Sequence, residues 1–315
     1  MVAKIVGTGS AVPEKVVTND DLAKIVDTSD EWIRTRTGIQ ERRISEQEDT
    51  VMLACRAAKR ALKDAGMEGS QIQLIIVATC TPENFFPSTA CCVQEAIGAV
   101  HAAAFDMSAA CSGFIFAFNT VQAYIQSGVY ENALIIGAEV FSKMIDWKDR
   151  NTCVLFGDGA GAIVVKASEK GRYKMVQHAD GTMGHVLTCQ ARKTHQEDGL
   201  TSLTMDGQEV FKFAVKKVPE CIRELLDRTG LSKEEIKYYV LHQANSRILQ
   251  SVSKRLGENI EKFPMNLQKY GNTSAASIPI LLDEMNREGR LTEGDFLILS
   301  GFGAGLTWGA VLLEW

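Results

Sequence analysis

Residues 60–80, RALKDAGMEGSQIQLIIVATC, decide the fold because their pattern returns at residues 224–244, ELLDRTGLSKEEIKYYVLHQA. Each stretch has the features of a helix end, a closing glycine (Gly66 or Gly230), a polar turn and an apolar strand. In both stretches an isoleucine follows the glycine at the same distance. One such match could arise by chance, so the sequence on either side has to be compared.

The likeness continues downstream of both stretches. Residues 108–140 and residues 271–303 each begin with small residues, continue as a helix, turn at a glycine and end as a strand. The spacing from the small residues to the strand pairs Cys111 with Ser274. Two matches in the same order indicate an internal duplication.

Strands that alternate with helices predict an α/β fold with mostly parallel inner strands. The strands are almost continuously apolar, which is typical of sheets that are covered on both faces. We expect two similar halves, residues 1–170 and 171–315, packed as one body because no proline- or serine-rich linker separates them. Residues 178–210 have weak periodicity and many turn formers, so we interpret them as an inserted loop over the seam between the halves.

Composition excludes several classes of function. The formal net charge of −5 argues against a nucleic-acid-binding surface. No stretch approaches the roughly 18 apolar residues of a membrane span, and the N-terminal residues lack a signal peptide, so we expect a cytoplasmic protein that does not bind a membrane. The eight cysteines are then expected to be reduced, and neither they nor the five histidines have the spacing of a metal site.

Cys111 lies in residues 106–118, DMSAACSGFIFAF, where a short strand meets an apolar helix. A helix N-terminus carries partial positive charge and free N–H groups, which would lower the pKa of a thiol and stabilise an oxyanion. The small neighbours of Cys111 leave room for a substrate. The same residues also fit a small side chain that only packs where a helix enters the core, and the local sequence leaves both interpretations open.

His242 ends an apolar strand, and Asn272 follows a glycine. Each has an ordinary structural interpretation, a hydrogen-bonded histidine and a turn or N-cap asparagine. The duplication places both at the strand-to-helix junctions that correspond to the junction of Cys111, so all three are predicted to face one seam. The glycine-rich residues 301–310 and 156–162 lack the lysine of a phosphate-binding loop, and we interpret them as tight turns whose N–H groups face a ligand.

Six segments together resemble the β-ketoacyl-acyl-carrier-protein synthase III family of the thiolase-like superfamily. They are DMSAACSGF, LHQANSRI, YGNTSAASIP, GFGAGLTWGA, TSDEWIRTRTGIQERR and NTCVLFGDGAGA. The resemblance spans essentially the whole chain in order. It implies a duplicated thiolase-like fold, an α/β arrangement of five αβαβα layers with two mixed sheets.

The resemblance also implies the reaction. Cys111 would attack an acyl-CoA primer and carry the acyl group, and His242 and Asn272 would assist the decarboxylation of malonyl-acyl carrier protein. The backbone N–H groups of Cys111 and Ala304 would hold the oxyanion. Some members of the family have glycine where Ala304 stands, but the donor is main chain. The enzyme would be an acyltransferase that initiates fatty acid biosynthesis as a homodimer, with no metal and no cofactor beyond its CoA thioester substrate.

Further residues match family positions with known roles. CoA contacts would come from Thr28, Trp32, Arg36, Arg150, Gly207 and Asn245. The acyl pocket, suited to a short primer, would involve Thr81, Phe86, Phe141 and Phe156, with Phe86 reaching into the pocket of the partner subunit. Carrier-protein docking would use Lys212, Arg247, Lys254 and Arg255, although Lys254 and Arg255 also fit an ordinary solvated helix face.

Three other functions remain to be weighed against this one. A related condensing enzyme of secondary metabolism would share the site but take an unusual primer or malonyl-CoA. A cysteine acyl-CoA hydrolase would need a base that activates water, and the matching segments contain no second histidine or carboxylate suited to that role. A non-catalytic acyl-CoA-binding relative would have no use for Cys111, His242 and Asn272 together.

Overall fold

The computed structural model describes residues 1–190 and 202–315, so part of the predicted inserted loop, residues 178–210, lies outside the described residues. The strands are β1 (Val2–Ala11), β2 (Val16–Thr18), β3 (Glu41–Arg43), β4 (Leu74–Ala78), β5 (Ala103–Met107), β6 (Asn132–Glu139), β7 (Gly159–Ser168), β8 (Tyr173–Ala179), β9 (Leu187–Thr188), β10 (Thr204–Met205), β11 (Ile236–Leu241), β12 (Phe296–Gly303) and β13 (Thr307–Glu314).

The α-helices are α1 (Asn19–Leu22), α2 (Asp30–Thr37), α3 (Thr50–Ala65), α4 (Thr89–Ala96), α5 (Gly113–Gln126), α6 (Gly207–Thr229), α7 (Ser246–Leu256), α8 (Leu267–Tyr270) and α9 (Ser277–Arg287). Short 3₁₀ helices lie at Gly69–Gln71, Ala110–Ser112, Phe141–Lys143, Gly181–Val186, Lys233–Glu235, Ile260–Lys262 and Ser274–Ala276. The glycines predicted to close helices do so: Gly66 ends α3 at φ 60° and Gly230 ends α6 at φ 68°, a left-handed conformation that glycine adopts at little cost.

Two mixed sheets form the frame of the molecule. The first has the order β1-β7-β6-β4-β5, and the second has the order β11-β12-β13-β8. Strands β4, β5 and β6 pair in parallel, as do β11 and β12, whereas the other pairs in these sheets are antiparallel. All strands of the first sheet lie within residues 2–168, and all strands of the second lie within residues 173–314.

Helices cover both faces of each sheet. Helices α5 and α9 lie between the sheets and share one apolar core with the inner faces of both. Helix α3 covers the outer face of the first sheet, and α6 and α7 cover the outer face of the second. The result is the five-layer αβαβα order that the resemblance implied. Every residue of β4 is buried because alternate side chains enter the central and the outer core.

Equivalent elements of the two halves are separated by a constant number of residues, and this number shows that the predicted pairing of Cys111 with Ser274 is wrong. The turn Ala110–Ser112 and helix α5 correspond to the turn Ser274–Ala276 and helix α9, 164 positions later. The counterpart of Cys111 is therefore Ala275, whereas Ser274 corresponds to Ala110. The prediction was one residue out because it aligned two leucines inside the strands, where an apolar run gives no signal of register.

Candidate active site

Cys111 lies in the 3₁₀ turn Ala110–Ser112 that leads into α5, and only 7% of its surface is exposed. Ala110 holds a left-handed φ of 47°, which turns the chain sharply before the thiol. The backbone at Gly303, the last residue of β12, approaches so closely that an added Cβ would lie 2.6 Å from the Cys111 nitrogen. Glycine at this position therefore allows residues 303–304 to lie against the Cys111 amide.

The structure contradicts the prediction that the helix start lowers the pKa of Cys111. Burial raises the pKa of the thiol to about 12, the charge of Glu139 adds to the shift, and a hydrogen bond with the Ser274 hydroxyl opposes it. The prediction was wrong because α5 begins two residues after Cys111, while the side chain is removed from water. Cys111 is a neutral thiol at physiological pH.

His242 follows β11 and is buried beside the first residue of α9. Its Nδ1 lies 2.7 Å from the hydroxyl of Ser277, and the Gln243 N–H donates to the same hydroxyl at 3.3 Å. The tautomer of the ring decides which of Nδ1 and the Ser277 hydroxyl donates in this contact, and donation by Ser277 corresponds to a ring that bears its proton on Nε2. Burial lowers the pKa of His242 to about 3, so the ring is neutral.

The side chain of Asn272 is oriented by its own backbone surroundings. Its Oδ1 accepts from the Ser274 N–H at 2.8 Å, which fixes the amide so that the oxygen faces the turn. The Asn272 backbone bonds Leu155 at 2.8 Å and Gly157 at 3.0 Å. Among the described residues the Asn272 Nδ2 has no hydrogen-bond acceptor, so its two protons are available to the cavity beside it.

Cys111, His242, Asn272 and Ala304 line one cavity of about 1410 Å³. The Thr307 hydroxyl donates to the Ala304 carbonyl at 3.1 Å and lies 2.8 Å from the Ser112 hydroxyl. This contact fixes the loop of Ala304 against the turn of Cys111. The cavity therefore brings a thiol, a neutral imidazole and an amide together, with two backbone segments beside the thiol.

Two of the residues predicted for the acyl pocket lie in the cavity and two do not. Phe141 and Phe156 line it, and their rings stack at 5.0 Å. Thr81 is buried outside the cavity wall because its hydroxyl donates to the Glu139 carboxylate at 2.7 Å. Phe86 is 86% exposed, on a loop that Lys143 fixes through Glu83, so it does not line the cavity of its own chain.

The predicted CoA contacts cluster around Trp32, with one exception. The guanidinium carbons of Arg36 and Arg150 lie 4.5 Å and 5.1 Å from the centre of the Trp32 ring. Trp32, Arg36, Gly207 and Asn245 line the cavity. Arg150 does not line it, but its guanidinium lies beside the Trp32 ring. Thr28 does not line the cavity, because its hydroxyl is buried without a hydrogen-bond partner in the turn before α2.

The four predicted docking residues lie on α6 and α7 and are exposed. Lys212 and Arg247 line the cavity rim, and Lys212 pairs with Glu209 at 2.7 Å. Lys254 and Arg255 lie in the last turn of α7, beyond the cavity wall. The exposed cations thus extend from the rim along the outer layer of the second half.

Sequence reasoning missed Glu139, a carboxylate with no exposed surface at the end of β6. Burial raises its pKa to about 7, against hydrogen bonds from Thr81, Cys80 and Ser274 that lower it. It also missed Ser277, which orients His242. A glutamate that ends an otherwise apolar strand was the one signal for Glu139; Ser277 had none.

Within residues 1–190 and 202–315, no helix has the length and apolar character needed to cross a bilayer. The same residues contain no group of three or more histidine, cysteine, aspartate or glutamate side chains placed to bind a metal ion.

Two family models match the chain. The model described as 3-oxoacyl-[acyl-carrier-protein] synthase III matches residues 105–184, and the model of the C-terminal part of that enzyme matches residues 226–315. Together they span more than half of the chain. The first contains Cys111, and the second contains His242, Asn272 and Ala304.

Similar proteins extend the match to nearly the full length. A β-ketoacyl-[acyl-carrier-protein] synthase III of Clostridium acetobutylicum is 52% identical, over 99% of this chain and 98% of that protein. The crystal structure of a 3-oxoacyl-[acyl-carrier-protein] synthase III from Aquifex aeolicus is 48% identical, with a TM-score of 0.95 over 99% of this chain and 100% of that chain. A priming β-ketosynthase of a polyketide pathway is 36% identical, with a TM-score of 0.95 over 99% of this chain and 96% of that chain.

Proposed function

We propose a division of labour for the site from the premise that the chain belongs to the 3-oxoacyl-[acyl-carrier-protein] synthase III family. The protein is a β-ketoacyl-acyl-carrier-protein synthase III, an acyltransferase of fatty acid initiation. Cys111 is the nucleophile, and His242 and Asn272 are hydrogen-bond donors. The observation that carries this proposal is the convergence of the three side chains on one cavity from two halves of the chain.

In the first half-reaction the Cys111 sulfur attacks the thioester carbonyl of an acyl-CoA. The carbonyl oxygen becomes an oxyanion, which the N–H groups of Cys111 and Ala304 hold. The close approach of Gly303 to the Cys111 nitrogen supports this role, because Ala304 follows Gly303 directly and lines the same cavity as the thiol. Coenzyme A leaves as a thiol, so the proton of the Cys111 S–H bond departs with it, and the acyl group stays on the Cys111 sulfur.

In the second half-reaction malonyl-acyl carrier protein enters and loses carbon dioxide. The thioester oxygen gains negative charge, and the Nε2–H of His242 and the Nδ2–H of Asn272 donate to it. Both donors are uncharged, since burial lowers the pKa of His242 to about 3. The resulting carbanion attacks the acyl group and releases the β-ketoacyl product and the Cys111 thiolate.

The residues of the cavity walls support the following substrate contacts. The adenine of CoA stacks at Trp32, between the guanidinium groups that already flank the ring. The stacked pair of Phe141 and Phe156 closes the pocket around a short primer such as an acetyl group. The acidic carrier protein docks on the exposed cations of α6 and α7. The exposed Phe86 enters the pocket of the second subunit of a homodimer.

The test is a panel of acyl-CoA primers, from acetyl to octanoyl with isobutyryl included, read by the mass of the intact enzyme. We expect acylation to be fastest with the shortest primers and the acyl-enzyme to be consumed by malonyl-acyl carrier protein. The similarity to a priming β-ketosynthase favours a second candidate, a condensing enzyme of secondary metabolism. Consumption by malonyl-CoA alone, or a preference for a long or branched primer, would support that candidate instead.

A further inference from the structure

The neutral ring of His242 bears a single proton, and the position of that proton decides what the ring can do. Burial lowers the pKa of His242 to about 3, so the ring has one N–H and one acceptor nitrogen at physiological pH. With the proton on Nε2 the ring donates into the cavity. With the proton on Nδ1 it presents a lone pair there, and it would act as a base toward a thiol. The groups around Nδ1 therefore select between two functions.

The hydroxyl of Ser277, the first residue of α9, is the neighbour of Nδ1. It lies 2.7 Å from Nδ1 and accepts from the Gln243 N–H at 3.3 Å. Ser277 is buried and does not line the cavity. Within the described part of the chain, its hydroxyl has no third hydrogen-bond partner. One of its two neighbours is thus always a donor, and the other is the ring nitrogen.

A count of donors and acceptors separates the two tautomers. If Nδ1 donates, both neighbours of the Ser277 hydroxyl are donors, and the buried hydroxyl proton has no acceptor among residues 1–190 and 202–315. If Nδ1 accepts, the hydroxyl receives the Gln243 N–H and donates to the ring, and no polar group is left unpaired. A buried donor without a partner is costly. The arrangement therefore favours the proton on Nε2.

The N–H of Gln243 is held in place by the side chain of the same residue. The side-chain amide donates to the Leu241 carbonyl at 2.8 Å and to the Pro264 carbonyl at 3.3 Å. Its oxygen accepts from the Asn266 N–H at 3.1 Å. Gln243 is buried, so these contacts are shielded from water. The donor that faces the Ser277 hydroxyl is therefore fixed.

The other side of the ring is open to the cavity. His242 lines the cavity together with Phe302, whose ring packs edge-to-face against the imidazole at 5.4 Å. The backbone N–H of His242 donates to the Ser300 carbonyl at 2.8 Å, which fixes the start of the side chain. Nε2 has no hydrogen-bond partner in the described residues. A proton on Nε2 is therefore available to a bound ligand.

The first half has the same contact without these functional groups. At the offset of 164 positions, His242 corresponds to Ala78 and Ser277 corresponds to Gly113. A Cβ added to Gly113 would lie 3.1 Å from the Cβ of Ala78, so the two positions face each other in both halves. The second half alone places an imidazole and a hydroxyl at this contact. The pair belongs to the half that supplies the donors.

We propose that Ser277 is a positioning residue that donates to Nδ1 and locks the His242 proton on Nε2. The ring is thereby a donor to the malonyl thioester oxygen and is prevented from acting as a base toward Cys111. The proposal rests on the proposed function of His242 in the second half-reaction. Ser277 touches no substrate and acts only through the ring. No proton is transferred, because the ring keeps its single N–H through both half-reactions.

The first experiment is ¹⁵N NMR of the histidine side chains in the intact protein without substrate. The signals of His242 are identified among the five histidines by their absence from His242→Gln. In the wild type we expect an unprotonated Nδ1 and a protonated Nε2. In Ser277→Ala the population ratio of the Nδ1–H to the Nε2–H tautomer should rise roughly tenfold, because the hydroxyl donor is lost.

The second experiment separates the two half-reactions in Ser277→Ala. Single-turnover acylation by acetyl-CoA should stay within about twofold of the wild type, since the ring has no part in it. Decarboxylation of malonyl-acyl carrier protein by the acylated enzyme should fall roughly tenfold, because part of the ring population no longer donates. Ser277→Thr keeps the hydroxyl and should restore both the Nε2–H tautomer and decarboxylation.

Ser300→Ala is the matched control. Ser300 is also buried and its backbone bonds His242, but its hydroxyl donates to the Gly309 carbonyl at 2.8 Å and not to the ring. This variant should keep the Nε2–H tautomer and the wild-type balance of the two steps.

A wild-type His242 with its proton on Nδ1 would overturn the proposal, as would an unchanged tautomer or unchanged decarboxylation in Ser277→Ala. If Ser277→Ala does not fold, the wild-type spectrum decides, because it shows directly which nitrogen accepts from the hydroxyl. Failure of the wild type to form an acyl-enzyme would instead refute the proposed function of Cys111. The tautomer measurement needs no substrate, so the two failures are distinct.

Discussion

The turn Ala110–Ser112 and the turn Ser274–Ala276 have the same shape and different chemistry. Each precedes a central helix, and each begins with a residue in the left-handed region, Ala110 at φ 47° and Ser274 at φ 51°. The first turn presents Cys111, whereas the equivalent residue of the second is Ala275. Because the two turns share a backbone conformation, the turn is a property of the fold, and the reactivity depends on the single side chain that the turn presents.

At the neighbouring strand-to-helix junctions the functional side chains belong to the second half instead of the first. His242 follows β11 in the second half, and its counterpart in the first half is Ala78. Asn272 likewise corresponds to Ser108. The first half thus presents the nucleophile and the second half presents the donors, so neither half contains a complete site.

Cys111→Ala makes the first turn equivalent to the second and is expected to have the largest effect. We expect no acyl-enzyme in the mass spectrum and a loss of condensation of at least about 10⁴-fold, because no other thiol has the same surroundings. Adding Ala275→Cys to this variant should not restore activity, because Ala78 and Ser108 lie at the positions equivalent to the donors. Acylation of Cys111→Ala would contradict the assignment of the nucleophile, and restored condensation in the double variant would contradict the need for the donors.

His242→Ala makes the second half resemble the first. Acylation should stay within about threefold of the wild type, while decarboxylation of the malonyl group falls by about 10²- to 10³-fold, since one of two donors to the enolate is lost. Separate assays of CoA release and carbon dioxide release measure the two steps. His178→Ala, a histidine outside the cavity, is the control. Equal loss of both steps would show that His242 also acts in acylation.

Gly137 and Gly301 are equivalent residues whose substitution should have unequal effects on stability. An alanine Cβ at Gly137 would lie 2.2 Å from the Ala275 carbonyl oxygen, whereas at Gly301 it would lie 3.3 Å from the Cys111 carbonyl oxygen. We expect Gly137→Ala to lower the free energy of unfolding by about 3 kcal/mol and Gly301→Ala by about 1 kcal/mol. Urea denaturation measures both. Equal losses would mean that the two turns pack alike.

The smallest expected effect is on acid stability. Below pH 6.5 the unfolded chain protonates residue 242, but the folded protein does not until about pH 3, so His242 lowers the free energy of unfolding as pH falls. Between about pH 7 and pH 5, the free energy of unfolding should therefore fall by about 1–2 kcal/mol less in His242→Gln than in the wild type. The measurement is urea denaturation at both values. An identical loss would mean that the ring is accessible to protons.

Much of the frame could be predicted from the sequence. The closing glycines, the apolar strands and the repeated order indicated two related sheets, because each signal is local and independent of distant contacts. Cys111, His242 and Asn272 could be placed at one seam for the same reason, since equivalent strand-to-helix junctions lie close together in a duplicated α/β fold. The family segments then supplied the expected roles.

The remaining features depend on burial, which the sequence shows only indirectly. Cys111 has a raised pKa rather than a lowered one, because the loss of water outweighs the nearby helix start. Thr81 bonds Glu139 instead of lining the acyl pocket, and Phe86 projects away from its own cavity. Glu139 itself was missed, since a charged residue at a strand end is usually solvated.

The left-handed residue at each turn has a consequence for how its strain is explained. A non-glycine residue with positive φ costs roughly 1–3 kcal/mol and is often explained by the demands of catalysis. Here the half without a nucleophile keeps the same conformation at Ser274. The strain is therefore a feature of the repeated frame rather than of the thiol alone, because both halves keep the same bend before a central helix.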